Sequence, residues 1–332
     1  MKNIKLISRD HIKEKLNISD TMNIMEKIYR AHAGDQVLMP SKITLDLGES
    51  NEWPPYGGSY NAMPAYLGND FDMSGIKWVW GFNDNPKKGL PYISAVIILN
   101  DPRTGEVLAI MDGSYITDVR TGASAGVAVK YLKSKNARSV GIIGAGVVGR
   151  MNLRAISTVM DIEEVKVYDL YSSASEKYAK ELSEELNLNI TPVNSCMDAC
   201  IGSDVMVTAT IANEPLIMKE WLKKGATVLS LGSFQELDEN IPLTADKLVV
   251  DNWSQNSHRG ELLKLVQRGL ISEKNIHAEI PDIIVGNKNG RENDDEIICA
   301  CIIGMGSTDI GVASHLYSAH FKNCSTETFS LR

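Results

Sequence analysis

VGIIGAGVVGR, residues 140–150, decides the fold class of this 332-residue chain. Val140 to Ile143 read as an apolar strand, and they run straight into Gly144-Ala145-Gly146-Val147-Val148-Gly149, which has the spacing G-x-G-x-x-G. RMNLRAISTVM follows as a helix, and the next strand, VKVYD, ends in Asp169, 20 residues after Gly149. Each part has a physical reason. The first glycine permits a tight turn, the second lets a pyrophosphate approach the backbone, and the third allows close helix–strand packing. The helix start offers free N–H groups and a partial positive charge to phosphates. An acid at the second strand end accepts the ribose hydroxyls, and its charge repels a 2′-phosphate. The stretch therefore predicts a Rossmann-type unit for NAD rather than NADP. Gly144, Gly146, Val147, Val148, Gly149 and Asp169 are its cofactor-binding residues.

Downstream the alternation continues through DVMVTAT, ATVLSLG and KLVVDN, which implies a parallel sheet covered by helices. Ligands of such sheets bind at the carboxyl ends of the strands. That rule adds Thr208, Ala209 and Thr210 after the fourth strand, and Leu231, Gly232 and Ser233 after the fifth, as neighbours of the cofactor. Upstream the pattern differs. KLIS reads as a strand, and NISDTMNIMEKIYRAHA as a helix with Asp20 as its N-cap. KITLDLG alternates like a strand, residues 49–59 form a Pro- and Gly-rich loop, and YNAMPAYL, GIKWVWGF, ISAVIILND and EVLAIMDG are short strands separated by turns. This half predicts a mixed or antiparallel sheet, followed by a helix beginning near Ile116. A last helix-like segment starts at Gly306 and packs back on the first half.

The formal charge of -8 argues against a nucleic-acid surface, and no run approaches a membrane helix. The start, MKNIKLISRD, lacks the apolar core of a signal peptide. Five cysteines, an odd number, point to a reducing, cytoplasmic location. Cys299 and Cys301 in ICACIIG read as small buried residues on one strand face, and no metal is expected. The run Arg291 to Glu296 reads as a solvated or structurally paired turn, and His277 as structural. His258 and Glu261, near Trp253, are candidates to line the cofactor cleft. Trp53, Trp78 and Trp80 either wall a pocket or fill core and interface.

Three cations of the first half stand among apolar neighbours: Lys42 after Met39-Pro40, Lys77 between Ile76 and Trp78, and Arg120 before TGASAG. A cation so placed must find an anion or stay partly wet. The anion is either an internal carboxylate or the carboxylate of an amino-acid substrate, which Arg grips in a bidentate fork.

The chain resembles the ornithine cyclodeaminase/mu-crystallin family, which includes archaeal-type alanine dehydrogenases. The likeness is carried by MPSKITLDL (39–47), NAMPAYL (61–67), GIKWVWGFNDNPKKGLP (75–91), ILNDPRTGEVLAIMDGSYITDVRTGASAG (98–126) and IIGAGVVGR (142–150). VVDNWSQNSHRGEL (249–262), HAEIPDIIVGNKNGRENDDEI (277–297) and GMGSTDI (304–310) extend it. The resemblance implies a homodimer of α/β chains. Residues 1–125 with 306–332 would form an α+β substrate-binding and dimerisation domain completed by the C-terminal helix, and residues 126–305 the Rossmann NAD-binding domain. It implies Lys42, Lys77 and Arg120 as substrate-binding residues, Lys77 and Arg120 as catalytic, and Thr121 at the cofactor.

One departure stands out. The family's cyclodeaminases and alanine dehydrogenases carry Gly-x-Asp after the fifth strand, whereas this chain has Gly232-Ser233-Phe234. Glu236 or Asp238 is the carboxylate left to stand in, and Glu236 joins the catalytic candidates. The segment is more similar to that of a siderophore-pathway member that joins glutamate to a phosphoserine-derived unit with internal recycling of NAD. The expected activity is NAD-dependent hydride transfer at the α-carbon of a small amino or imino acid, as dehydrogenase or imine reductase. The alternatives are a cyclodeaminase, a synthase of that siderophore type, or a mu-crystallin-like binder without catalysis.

Overall fold

The computed structural model describes residues 3–48, 53–232 and 235–330. Ser233, Phe234 and residues 49–52 of the Pro/Gly-rich loop lie outside the described residues. The chain divides into two compact units, Met1–Arg120 with Met305–Arg332, and Thr121–Gly304.

The first unit is a mixed sheet with helices. Its strands are β1 (Ile4–Ile7), β2 (Val37–Leu38), β3 (Ile43–Asp46), β4 (Gly58–Leu67), β5 (Met73–Phe82), β6 (Ile93–Asn100) and β7 (Val107–Asp112). β4 to β7 form an antiparallel meander, and β1 joins β7 in parallel. Their alternation is visible in burial: Met63, Ala65 and Leu67 face inward on β4, and Ala95, Ile97 and Leu99 on β6. The helix Ile18–Ala33 buries Met22, Ile24, Met25, Ile28 and Tyr29. Its N-cap is Asn17 rather than Asp20: the Asn17 side chain accepts from the Asp20 N–H at 2.9 Å, and Asp20 lies in the first turn, where a negative charge suits the helix dipole. The helix expected near Ile116 starts earlier and runs over Ser114–Leu132. The helix Gly306–Leu316 is almost wholly buried, in contact with β4, β5 and the helix Ile18–Ala33.

The second unit contains β8 (Ser139–Ile143), β9 (Glu164–Tyr168), β10 (Ile190–Pro192), β11 (Val205–Thr208), β12 (Thr227–Leu231), β13 (Lys247–Val250), β14 (Ala278–Glu279) and β15 (Ile298–Ile302). All their pairings are parallel, in the order β10-β9-β8-β11-β12-β15-β13-β14. Order reverses between β8 and β11, the switch point at which doubly wound sheets bind ligands. β11, β12, β13 and β15 are buried along their whole length, as parallel strands covered on both faces must be. ICACI forms β15, and both its thiols sit in the core, 4.0 Å apart. A late strand, β16 (Thr328–Phe329), returns to pair β1 in the first unit.

Candidate active site

In the second unit, the turn after β8 has the shape its glycines require. Gly144 adopts φ +106°, and a Cβ there would lie 2.5 Å from the Ala209 carbonyl oxygen. At Gly149 a Cβ would lie 2.0 Å from the Gly144 carbonyl oxygen, so only glycine lets the helix Val147–Ile156 close on the turn. Gly146 is different: a Cβ there would meet nothing within 4 Å. That open face lies at the helix N-cap, which no side chain caps. Uncapped N–H groups beside open space are what a diphosphate needs. Val147 is exposed and Val148 partly so on the same turn.

Asp169 follows β9 and points back at this turn. Its Oδ2 accepts from Ala145 N at 2.8 Å and its Oδ1 from Tyr171 N at 3.0 Å. A carboxylate has about four acceptor positions, so two bonds leave capacity for ribose hydroxyls. Thr208, Ala209 and Thr210 leave the end of β11, with Ala209 N bonded to Ile143 O at 2.9 Å. Gly232 follows β12 at φ +123° with open space where a Cβ would be. The expected cofactor residues thus gather at the carboxyl edge of one sheet, apart from Thr121 in the helix Ser114–Leu132 and Ser233, which is outside the described residues.

Glu236 is buried in the same unit, and its Oε1 accepts from Thr210 N at 3.0 Å and Thr210 Oγ1 at 2.5 Å. Burial pushes its carboxyl up to about 7, with the Thr210 bonds opposing and Glu261 assisting. Glu261, also buried, accepts from Ser230 Oγ, Glu236 N and Leu237 N, so one carboxylate secures the backbone after β12. Asp238 is turned to local work, accepting from Lys219 N and Asn240 N.

The first unit holds the cations. Lys77 on β5 is 1% exposed and Arg120 is 7% exposed. Both meet one carboxylate that sequence reasoning did not assign: Asp309, in the first turn of the helix Gly306–Leu316. Lys77 Nζ lies 2.7 Å from Asp309 Oδ2, and Arg120 Nε lies 2.9 Å from Asp309 Oδ1. Lys77 Nζ also reaches Thr117 Oγ1 at 3.4 Å. Burial and the neighbouring Arg120 charge pull Lys77 down to about 8, against the pull of Asp309. Lys42 is half-buried, one residue ahead of β3, and is not part of this triad. Continuing the β3–β4 register by one residue sets it opposite Met63, whose β5 partner is Lys77. Directly opposed residues share a sheet face, so Lys42 and Lys77 face the same way, two strands apart.

Other candidates resolve into structure. Lys247 meets Glu292 and Glu296, and Arg291 donates to the carbonyls of Leu132 and Glu296, so the acidic run is paired turn architecture. His277 Nε2 contacts Asn289 O at 2.8 Å. His258 Nδ1 contacts its own turn at Ser254 O. Trp78 stacks on Tyr60 with ring centres 5.2 Å apart, Trp80 lies against the same ring, and Trp53 is 92% exposed.

Several known proteins resemble this chain along most of its length. The ornithine cyclodeaminase/mu-crystallin family profile matches residues 3–323. An alanine dehydrogenase of Archaeoglobus fulgidus is 35% identical over 317 residues, 94% of each chain. The N-((2S)-2-amino-2-carboxyethyl)-L-glutamate dehydrogenase of Staphylococcus aureus is 36% identical over 291 residues, 86% of each chain. The solved structure of Thermococcus litoralis Delta(1)-pyrroline-2-carboxylate reductase, in complex with NADH and L-proline, superposes with a TM-score of 0.92 at 33% identity, covering 98% of this chain and 100% of that one. With the family pattern matched along nearly its whole length and two relatives above 30% identity, this chain belongs to the ornithine cyclodeaminase/mu-crystallin family.

Proposed function

We propose that this protein is an NAD-dependent oxidoreductase acting at the α-carbon of a small amino or imino acid. The carrying observation is the buried cluster of Lys77, Arg120 and Asp309, which brings two cations of the first unit side by side on one carboxylate. Neighbouring cations, one of them a guanidinium, suit the binding of a carboxylate. The α-carboxylate of a substrate is that group on this reading, with Arg120 and Lys77 as its ligands and Lys42 on the same sheet face as a third. The relatives support the same chemistry, since their names specify dehydrogenation of amino acids and reduction of a cyclic imine.

The carboxyl edge of the second unit fits NAD. Gly144, Gly146, Val147, Val148 and Gly149 would hold the diphosphate, Asp169 the ribose, and Thr121, Thr208, Ala209, Thr210, Gly232 and Ser233 the remainder. Bound NAD supplies the hydride acceptor, and NADH the donor in reverse. The protein's own residues orient the substrate and manage charge. Lys77, drawn down to about 8, holds a proton that it can share with the substrate near neutral pH. Glu236 serves as a positioning residue, fixing Thr210 through two hydrogen bonds.

On this reading the first unit binds substrate and the second binds NAD. The first unit also dimerises: Leu38, Ile43 and Leu45 on β2 and β3 are 69%, 67% and 51% exposed, an apolar edge that a second copy would cover. Among the described residues no helix is long and apolar enough to cross a membrane. The five thiols are unpaired, which suits the cytoplasm.

The test is an NADH absorbance screen in both directions across amino acids, cyclic imines and oxo-acid/amine pairs. Because Gly232-Ser233-Phe234 lacks an Asp, the panel begins with N-(2-amino-2-carboxyethyl)-glutamate, then alanine, then pyrroline-2-carboxylate. Turnover of at least one is expected. Tight NADH binding with no turnover on any of them would sink the proposal.

A further inference from the structure

We infer that Asp309 is a positioning residue for the reaction: it sets the spacing of Lys77 and Arg120 and keeps the Lys77 amine charged, so that the pair can take a substrate carboxylate. The inference rests on the function proposed above and extends it to a residue that touches neither substrate nor cofactor.

The geometry is specific. The triad joins three remote segments: β5, the helix Ser114–Leu132 and the helix Gly306–Leu316. Asp309 is fully buried and divides its oxygens, Oδ2 to Lys77 at 2.7 Å and Oδ1 to Arg120 at 2.9 Å. The two oxygens of one carboxylate are about 2.2 Å apart, so the cations are held as near neighbours despite their repulsion. Asp309 takes Arg120 at Nε, the inner nitrogen.

The location favours an ionised carboxylate. Asp309 lies in the first helical turn, where the helix dipole stabilises negative charge. Burial opposes ionisation, but Arg120 and Lys77 together hold the carboxyl below its ordinary value. At the start of the same helix, a Cβ on Gly306 would lie 2.9 Å from the Met63 carbonyl oxygen. Glycine there lets the helix close on β4 and bring Asp309 down to Lys77.

The other titratable groups around the triad do not replace it. Asp118 acts on Lys77 and Arg120 only through space, lies 3.7 Å from Arg9, and has its carboxyl raised by burial to about 6. His32 contacts Ser307 Oγ at 2.7 Å and is pushed down to about 4 by burial, so it is neutral at physiological pH. Thr117 offers Lys77 only a hydroxyl, which itself donates to Gly113 O.

The test is Asp309→Asn, which keeps the shape and removes the charge. Two readouts are taken on full-length protein. The first needs no substrate: the Lys77 amine is titrated by NMR of 13Cε-labelled lysine, with Lys77→Met assigning the signal. Asp309→Asn is expected to move that titration at least about one pH unit below its wild-type position. The second is steady-state kinetics. kcat/KM for the amino acid is expected to fall about 100-fold or more, chiefly through KM, while NADH affinity stays within about twofold. An unmoved Lys77 titration or an unchanged KM overturns the inference.

Should Asp309→Asn fail to fold, Asp309→Glu keeps the charge and displaces it. The Lys77 titration should then stay near its wild-type position while KM for the amino acid rises at least about tenfold, and an unchanged KM overturns the inference. A wild-type protein with no turnover, but with a Lys77 titration that shifts in Asp309→Asn, would remove the proposed function and leave the charge pairing standing.

Discussion

The two units handle charge in opposite ways. In the second, the turn at Gly144–Gly149 presents N–H groups at an uncapped helix start, and Asp169 beside it is itself negative. The first buries full cations, Lys77 and Arg120, and holds them in register with Asp309. Under the proposed function, the difference follows from what each would recognise. A diphosphate is large and strongly charged, so weak dipoles spread over a loop suffice, and a fixed acid can add selectivity against a second phosphate. A single carboxylate on a small molecule is a weaker handle, and it needs concentrated charge in a dry place.

The largest expected effect therefore belongs to the first unit. Arg120→Ala should lower kcat/KM for the amino acid by about 100- to 1,000-fold, the usual consequence of truncating one partner of a buried hydrogen-bonded charge pair. NADH affinity, read by fluorescence titration, should change by less than about twofold. Collapse of NADH binding instead would break the comparison, because Arg120 would then belong to the nucleotide or to the fold.

The same contrast explains what the sequence made legible. The nucleotide turn is contiguous: strand, glycines, helix and acid all fall within residues 140–169, and each residue's role follows from its neighbours in the chain. The cation triad is not contiguous. Arg120 and Asp309 are 189 positions apart, so no local pattern pairs them. The available signal was an aspartate inside the apolar run of GMGSTDIGVA, which needs a buried partner just as Lys77 and Arg120 do. Caps show the limit on a smaller scale. Asn17 and Asp20 are both good N-cap residues, and only the backbone geometry shows that Asn17 accepts the bond. The two-residue strands β2, β14 and β16 are too short to carry a period.

A middle-sized effect sharpens the nucleotide side. Asp169 accepts two backbone N–H bonds around the glycine turn. Asp169→Ser keeps one acceptor and loses the charge. NAD affinity should fall about tenfold, as expected for one charge-assisted hydrogen bond, while NADP is penalised less. The ratio of NAD to NADP affinity is the measurement. An unchanged ratio would remove Asp169 from the ribose and leave selectivity to the loop that follows it.

The smallest effect is the most discriminating, because it asks whether the second unit contributes a reacting charge at all. Glu236 is buried, its carboxyl is raised to about 7, and its Oε1 is engaged by Thr210. In the unfolded chain the same group ionises near its ordinary value of 4.5. Between those two pH values the folded state binds more protons, so stability falls as pH rises through that window and stays lowered above about 7. Glu236→Gln retains an acceptor for Thr210 and removes the titration. It should leave stability unchanged near pH 4 and raise it by about 1–3 kcal/mol near pH 8, visible as a higher Tm only at the upper pH. If Glu236 positions Thr210, kcat should stay within about threefold, since the hydrogen bonds survive. A loss comparable to that of Arg120→Ala would make Glu236 the carboxylate that stands in for the absent Gly-x-Asp, and reacting charge would then lie in both units rather than in one.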